Sequence, residues 1–170
     1  MNSLFASLTP RKRSLILLVI IYIGFISLGL PDTVLGVAWD TMRLELDQPV
    51  YYAGFVTTLL TACSAVSAFF SGAILRKVGT GWLLMLCGFV TGFSLLGYAL
   101  APAFWVILLC AIPLGFGQGA VDTGMNYYVA KHYTSRDMSW LHCCWGIGAT
   151  VGPGIITAIL AAGASWRWGY

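Results

Sequence analysis

Five apolar runs, each long enough to cross a bilayer and each closed by a short polar or basic turn, occupy most of this 170-residue sequence. About 20 apolar residues span the hydrocarbon core as a helix, and inside that core every backbone N–H and C=O must find its partner within the protein. Only helices and closed barrels meet that condition. The runs lack the alternation of barrel strands, so the sequence predicts an all-α membrane protein. Its composition agrees: 59% of residues are hydrophobic and 9% charged, far from the balance of a soluble globular domain.

The spans are expected at 14–38, 51–75, 80–101, 104–130 and 139–163, behind a cytoplasmic tail at 1–13. Arg11-Lys12-Arg13 before an apolar run resembles the front of a signal peptide. The run is too long for a signal h-region of about 7–15 residues, and it continues through Pro31 and Asp32. Arg11, Lys12, Arg13, Arg76, Lys77, Lys131 and Arg136 then fall on one side, against Arg43 and Arg167 on the other. Basic residues stay inside, which puts the N-terminus in the cytoplasm. The short loops point to the inner membrane of a bacterial cell. Trp166-Arg167-Trp168 is the kind of boundary that introduces another span, so the expectation is a chain cut before its sixth helix, or one that joins an assembly.

Within the fourth run, Gln118, Asp122 and Asn126 recur at i, i+4 and i+8, which on a helix forms one polar stripe. An acid at that depth is costly and marks an ion, proton or substrate path. Gly115, Gly117, Gly119 and Gly124 surround the stripe and read as a close-packing face. Asp32 follows Pro31 in the outer third of the first span, and has two readings: a second intramembrane acid, or an acid that meets water at the surface. His142 opens the fifth span and reads either as a proton relay near the depth of Asp122 or as an interfacial histidine bonded to a carbonyl or water.

Other chemistries find little support. His142-Cys143-Cys144 cannot converge on one ion, because consecutive helical residues point about 100° apart; no metal site is expected. The five cysteines, an odd number inside apolar runs, make no disulfide framework. There is no His-Glu-x-x-His helix, nucleophile elbow or Walker loop, so the expectation is a protein that is not an enzyme and carries no cofactor. The basic residues form no patch for nucleic acid. Trp39, Tyr51, Tyr52, Trp105, Trp166 and Trp168 fit an interfacial belt.

The order of these features resembles the N-terminal half of a major facilitator superfamily transporter, and within it the fucose:proton symporter branch. In that branch the first helix carries an acid, as at Asp32, and the fourth carries a G-x-G-x-x-acid-x-x-x-N pattern, matched by Gly117, Gly119, Asp122 and Asn126. The resemblance implies the six-helix N-terminal half of a twelve-helix fold, with about five helices present, and implicates Asp122 and Asp32 in proton coupling. The chain has Asp122 where the symporter has Glu, and Gly29 where the symporter has a polar residue. The superfamily loop between helices two and three is partly kept at Gly72, Lys77 and Gly79, but Arg76 replaces its acid. Gly148 to Pro153 partly resembles the antiporter motif of the fifth helix, with Ile156 in place of its final Gly.

These readings converge on a proton-coupled symporter of a small polar solute such as a sugar. Asp122 and Asp32 would carry the proton, and Gln118, Asn126 and His142 would meet the solute. Its partners would be that solute, the proton, the lipid bilayer and the missing C-terminal half. Two alternatives stand beside it: a proton-coupled efflux antiporter, and a membrane scaffold or sensor that associates through its Gly faces.

Overall fold

The computed structural model describes residues 9–170, the side chain of Pro10 excepted. Most of the tail expected at 1–13 therefore lies outside the described residues, while Pro10 to Arg13 belong to the first helix. The elements are α1 (Pro10–Glu45), α2 (Tyr52–Val78), α3 (Thr80–Ala99), α4 (Phe104–His132), α5 (Ser135–Ala161) and a 3-10 turn (Trp166–Gly169). All five α-helices are long and apolar enough to cross a membrane.

The helices outrun the sequence-based spans where local chemistry allows. Pro10 sits in the first turn of α1, where its missing N–H costs nothing, and the helix continues past residue 38 to Glu45. At 36 residues it is about 54 Å long, against a hydrocarbon core of about 30 Å, so it projects into both interfaces. At the other end of the sequence, α5 starts at Ser135 rather than 139. Thr134 and Asp137 form a reciprocal capping box there, in which the Asp137 carboxylate accepts from the Thr134 amide at 2.9 Å and its hydroxyl at 2.7 Å.

Packing follows the small residues. The principal pairs are α1 with α5, α2 with α4, and α3 with α4. A Cβ at Gly148 would collide with the Ile26 carbonyl, and one at Gly152 with the Leu30 carbonyl, so α5 lies backbone to backbone on α1. Gly115 and Gly119 meet the Leu60 and Ser64 carbonyls of α2 in the same way, and Gly117 meets Thr91 of α3. Such four-residue spacing is how membrane helices approach when lipid supplies no hydrophobic drive between them. Sandwiched on two sides, α4 is far more buried than any other helix. It is the centre of the bundle.

Interhelical hydrogen bonds reinforce these seams. Pro153 has no N–H for the carbonyl of Ala149, and the Thr33 hydroxyl of α1 donates to that oxygen at 2.9 Å. Ser67 of α2 donates to the Phe116 carbonyl of α4 at 2.6 Å. At the outer end, Trp39 and Trp166, expected in an interfacial belt, are buried at 4% and 0% exposure. The indole of Trp39 donates to the Val50 carbonyl at 2.8 Å and that of Trp166 to Glu45 at 2.5 Å, so both fasten the bundle end. Trp105 and Trp168 remain exposed. Among the described residues all five cysteines are free thiols.

Candidate functional site

Gln118 and Asp122 of α4 line a cavity of about 580 Å³, with walls from α1, α2, α3, α4 and α5. Asp32, Gln118, Asp122 and Trp145 all line it, together with Tyr98 and Tyr170. The volume falls in the range that holds small-molecule ligands.

Asp32 stands one residue after Pro31, inside an unbroken α1. Both of its oxygens are engaged. Gln118 Nε2 of α4 donates to Oδ1 at 2.8 Å, and Trp145 Nε1 of α5 donates to Oδ2 at 3.1 Å. One carboxylate thus joins three helices at the cavity wall. Of the two readings open for Asp32, this geometry is that of an acid facing a shared cavity. Its partners are neutral donors, and the remaining lone pairs stay accessible.

The stripe on α4 divides by function of position. Gln118, at 5% exposure, reaches across to α1. Asp122 is half-buried and lines the same cavity one turn further along. Asn126 turns back onto its own helix, donating from Nδ2 to the Asp122 carbonyl at 3.0 Å and to Oδ1 at 3.2 Å. It supports the acid from one side and is not part of the cavity wall. Asp122 also lies within electrostatic reach of Asp32 and of His142.

His142 occupies a different place. It is exposed on α5, outside the wall, with its ring edge-on to Phe25 at 6.2 Å. The sequence reading grouped it with Gln118 and Asn126; the structure brings together Asp32, Gln118 and Asp122, sets Asn126 behind Asp122, and leaves His142 to one side. No group of three or more metal-ligating side chains occurs among the described residues.

Two cavity residues escaped the sequence reading. Trp145 lay in plain view one turn after His142, and an indole N–H inside an apolar span always needs an acceptor. Tyr98, near the end of α3, is indistinguishable in sequence from a belt tyrosine; in the structure it is 1% exposed, with its ring 5.2 Å from Tyr170. Gly29 also has a local reason: a side chain there would strike the Trp145 carbonyl and the Ala149 amide. The polar residue of the fucose symporter branch has no room at this point.

Comparison with known proteins agrees with the architecture. The chain is 28% identical over 136 residues to synaptic vesicle glycoprotein 2C of Rattus norvegicus, covering 78% of this chain and 19% of the relative. The same protein from Mus musculus is 27% identical over 136 residues, again 78% of this chain and 19% of the relative. The chain therefore spans about a fifth of the length of these relatives. No solved structure gives a significant match. The model of the Major Facilitator Superfamily matches residues 21–170, the whole of the described bundle but the first turns of α1. Five membrane-length helices packed around a central fourth, matched over that range, make the chain a multi-pass membrane protein of the major facilitator superfamily, corresponding to its N-terminal half.

Proposed function

We propose that this bundle is part of a proton-coupled secondary transporter for a small polar solute, with the cavity lined by Asp32, Gln118 and Asp122 as its site. The observation that carries the reading is the Gln118–Asp32 hydrogen bond at the wall of a cavity that also holds Asp122. Two acids at membrane depth, accessible from one cavity and within electrostatic reach of each other, can exchange protons with water on whichever side the cavity opens. Asp122 loads and releases the proton, Asn126 orients it, and Gln118 transmits its state to Asp32 on α1. In such folds two helical halves rock around a midplane site, so the five helices act with a second bundle. His142, within electrostatic reach of Asp122 but outside the wall, serves as the route by which protons reach the acid from the basic side.

Symport is favoured over efflux because the residues that resemble the antiporter motif have a packing role: Gly148 and Gly152 seat α5 on α1. The sugar-like solute of the fucose:proton symporter branch rests on the α4 pattern around Asp122. The N-terminus lies in the cytoplasm of the cell's inner membrane, on the strength of Arg76, Lys77, Lys131 and Arg136 at one end of the bundle.

The test is Asp122→Asn in membrane vesicles. Proton-driven accumulation of solute is lost while exchange down a solute gradient persists. Undiminished uphill uptake in that variant sinks the role of Asp122.

A further inference from the structure

The basic end of the bundle, remote from the cavity, is organised around two tyrosines that fasten the start of α1 to the turn where α4 meets α5. The Tyr133 hydroxyl donates to the Ser14 carbonyl at 2.7 Å, and the Tyr22 hydroxyl donates to the Asp137 carbonyl at 3.2 Å. Ser14 follows Arg11-Lys12-Arg13, and Asp137 follows Arg136, so two segments far apart in sequence bring their cations to one corner. Arg11, Lys12, Arg13, Lys131 and Arg136 are all exposed there. Of the six acids, Asp40, Glu45 and Asp47 lie at the other end, and Asp32 and Asp122 line the cavity. Only Asp137 opposes the cluster; it is within electrostatic reach of Arg136, and its Oδ2 already accepts from the amide and hydroxyl of Thr134. Apolar surface continues from the cations into the membrane. On α1, Lys12, Leu15, Val19 and Ile23 recur at three- and four-residue spacing and are all exposed. On α5, Arg136 and Trp140 stand one turn apart on one face, and Trp140 is exposed at the depth where indoles favour lipid headgroups.

We infer that this corner binds an anionic phospholipid, its phosphate held between the start of α1 and the α4–α5 turn and its acyl chains laid along the exposed apolar faces. Charge complementarity selects the headgroup, since basic clusters between membrane helices recognise the phosphates of anionic lipids, and Arg and Lys both form charge-assisted bonds to them. A soluble phosphate matches the cations but leaves Trp140 and the apolar row of α1 without a role. A zwitterionic lipid matches the apolar row but brings its own ammonium to a cationic corner. The opposite end offers no equivalent, because Arg43 is paired with Asp40 and Arg167 with Glu45. A lipid seated here bridges α1 to α4 and α5 at the point where the tyrosine bonds already join them.

Lipid binding is read without any solute, so this inference stands or falls apart from the transporter reading. The full protein in mild detergent is titrated with phosphatidylglycerol or with phosphatidylcholine of identical acyl chains, and retained lipid is counted by native mass spectrometry. The unmodified protein prefers phosphatidylglycerol about 25-fold, at about fivefold for each of two engaged cations. Lys12→Gln combined with Arg136→Gln, both at exposed positions, removes most of that preference. Arg76→Gln combined with Lys77→Gln takes the same charge from the α2–α3 turn and leaves the preference within about twofold of the unmodified protein's, because those cations lie outside the corner. Tyr133→Phe removes no charge but releases the start of α1 from the turn, and weakens phosphatidylglycerol about fivefold, the effect of one hydrogen bond. Equal binding of the two lipids by the unmodified protein overturns the inference. An equal loss in the Arg76 and Lys77 variant, or full preference in Tyr133→Phe, also overturns it, since net charge alone would then account for binding. Displacement of phosphatidylglycerol by an equal concentration of glycerol phosphate assigns the corner to a soluble anion and overturns the lipid.

Discussion

Gln118 and Asp32, 86 positions apart in sequence, are joined by a 2.8 Å hydrogen bond from the amide of α4 to the carboxylate of α1. α1 and α4 are not principal packing partners; α1 rests on α5, and α4 on α2 and α3. The bond therefore couples two seams of the bundle that packing alone leaves separate. Gln118→Leu keeps the side-chain volume and removes the donor. Hydrogen bonds to charged groups contribute about 1.5–3 kcal/mol, so the expected result is folded protein with solute uptake reduced by about tenfold or more. Gel filtration with vesicle uptake checks it; normal uptake would show that the tether carries no part of the cycle.

The close seam of α5 on α1 makes a matched pair of variants informative. Gly148→Ala drives a Cβ into the Ile26 carbonyl, and only a shift of one backbone can relieve it, at a cost of about 1–3 kcal/mol. Gly146→Ala, two residues earlier and on the opposite face of the same helix, meets nothing within 4 Å and is neutral or mildly stabilising. Thermal unfolding in detergent should separate the two by several degrees. Equal midpoints would mean that α1 and α5 can part at no cost.

The sequence carried the membrane class, five spans and the polar stripe, because length, hydropathy and the 3.6-residue period are local properties. It carried Asp122 for the same reason: an acid in an apolar run is conspicuous on its own. What it could not carry was which neighbour each polar group finds. Asn126 has the spacing of a cavity residue yet bonds back to Asp122 one turn earlier, and His142 faces Phe25 rather than the cavity. Trp39 and Trp166 read as belt aromatics, and Tyr98 was not singled out, because burial at a bundle end depends on how distant segments fold over them. The helices run beyond the expected spans where hydropathy stops but hydrogen bonding continues, as between residues 38 and 45 of α1 and at the Thr134–Asp137 cap.

Thr33 offers a direct probe of how proline is accommodated. Pro153 deprives the Ala149 carbonyl of its helical donor, and the Thr33 hydroxyl takes that role across the seam. Thr33→Val preserves shape and leaves the carbonyl unpaired, for a loss of about 1–2 kcal/mol. Pro153→Ala in the same background restores the intrahelical donor and should recover the stability. A double-mutant cycle read by thermal unfolding tests this; simple additivity of the two changes would dissociate Thr33 from Pro153.

Orientation is open to side-specific labelling. Arg136, in the first turn of α5, and Pro49, between α1 and α2, are both exposed at opposite ends of the bundle. In a background without the native cysteines, Arg136→Cys should react with an impermeant maleimide only from the cytoplasmic side, and Pro49→Cys only from outside. The reverse pattern would invert the topology read from the basic turns.

Arg167 closes the outer end. Its guanidinium donates to Glu45 at 2.7 Å and to the carbonyls of Ala99 and Ala101 at 3.1 and 2.7 Å, and it stacks on the Trp166 ring at 4.5 Å. The two carbonyls lie at the end of α3, where no further helical turn can supply donors, so one planar side chain caps α3 while pairing with α1. Glu45 accepts from both Arg167 and Trp166, which fixes the segment after α5 over the bundle. Because Arg167 and Glu45 are partly exposed, solvent screens the ion pair and the carbonyl contacts dominate. Arg167→Lys keeps the charge but cannot span three acceptors, and Arg167→Ala loses everything. The expected order of stability is Arg, then Lys, then Ala, over a total of about 1–3 kcal/mol, with salt dependence confined to the smaller part. If Lys matched Arg, or if high salt alone reproduced the loss seen with Ala, the end would be held by charge and not by the shape of the guanidinium.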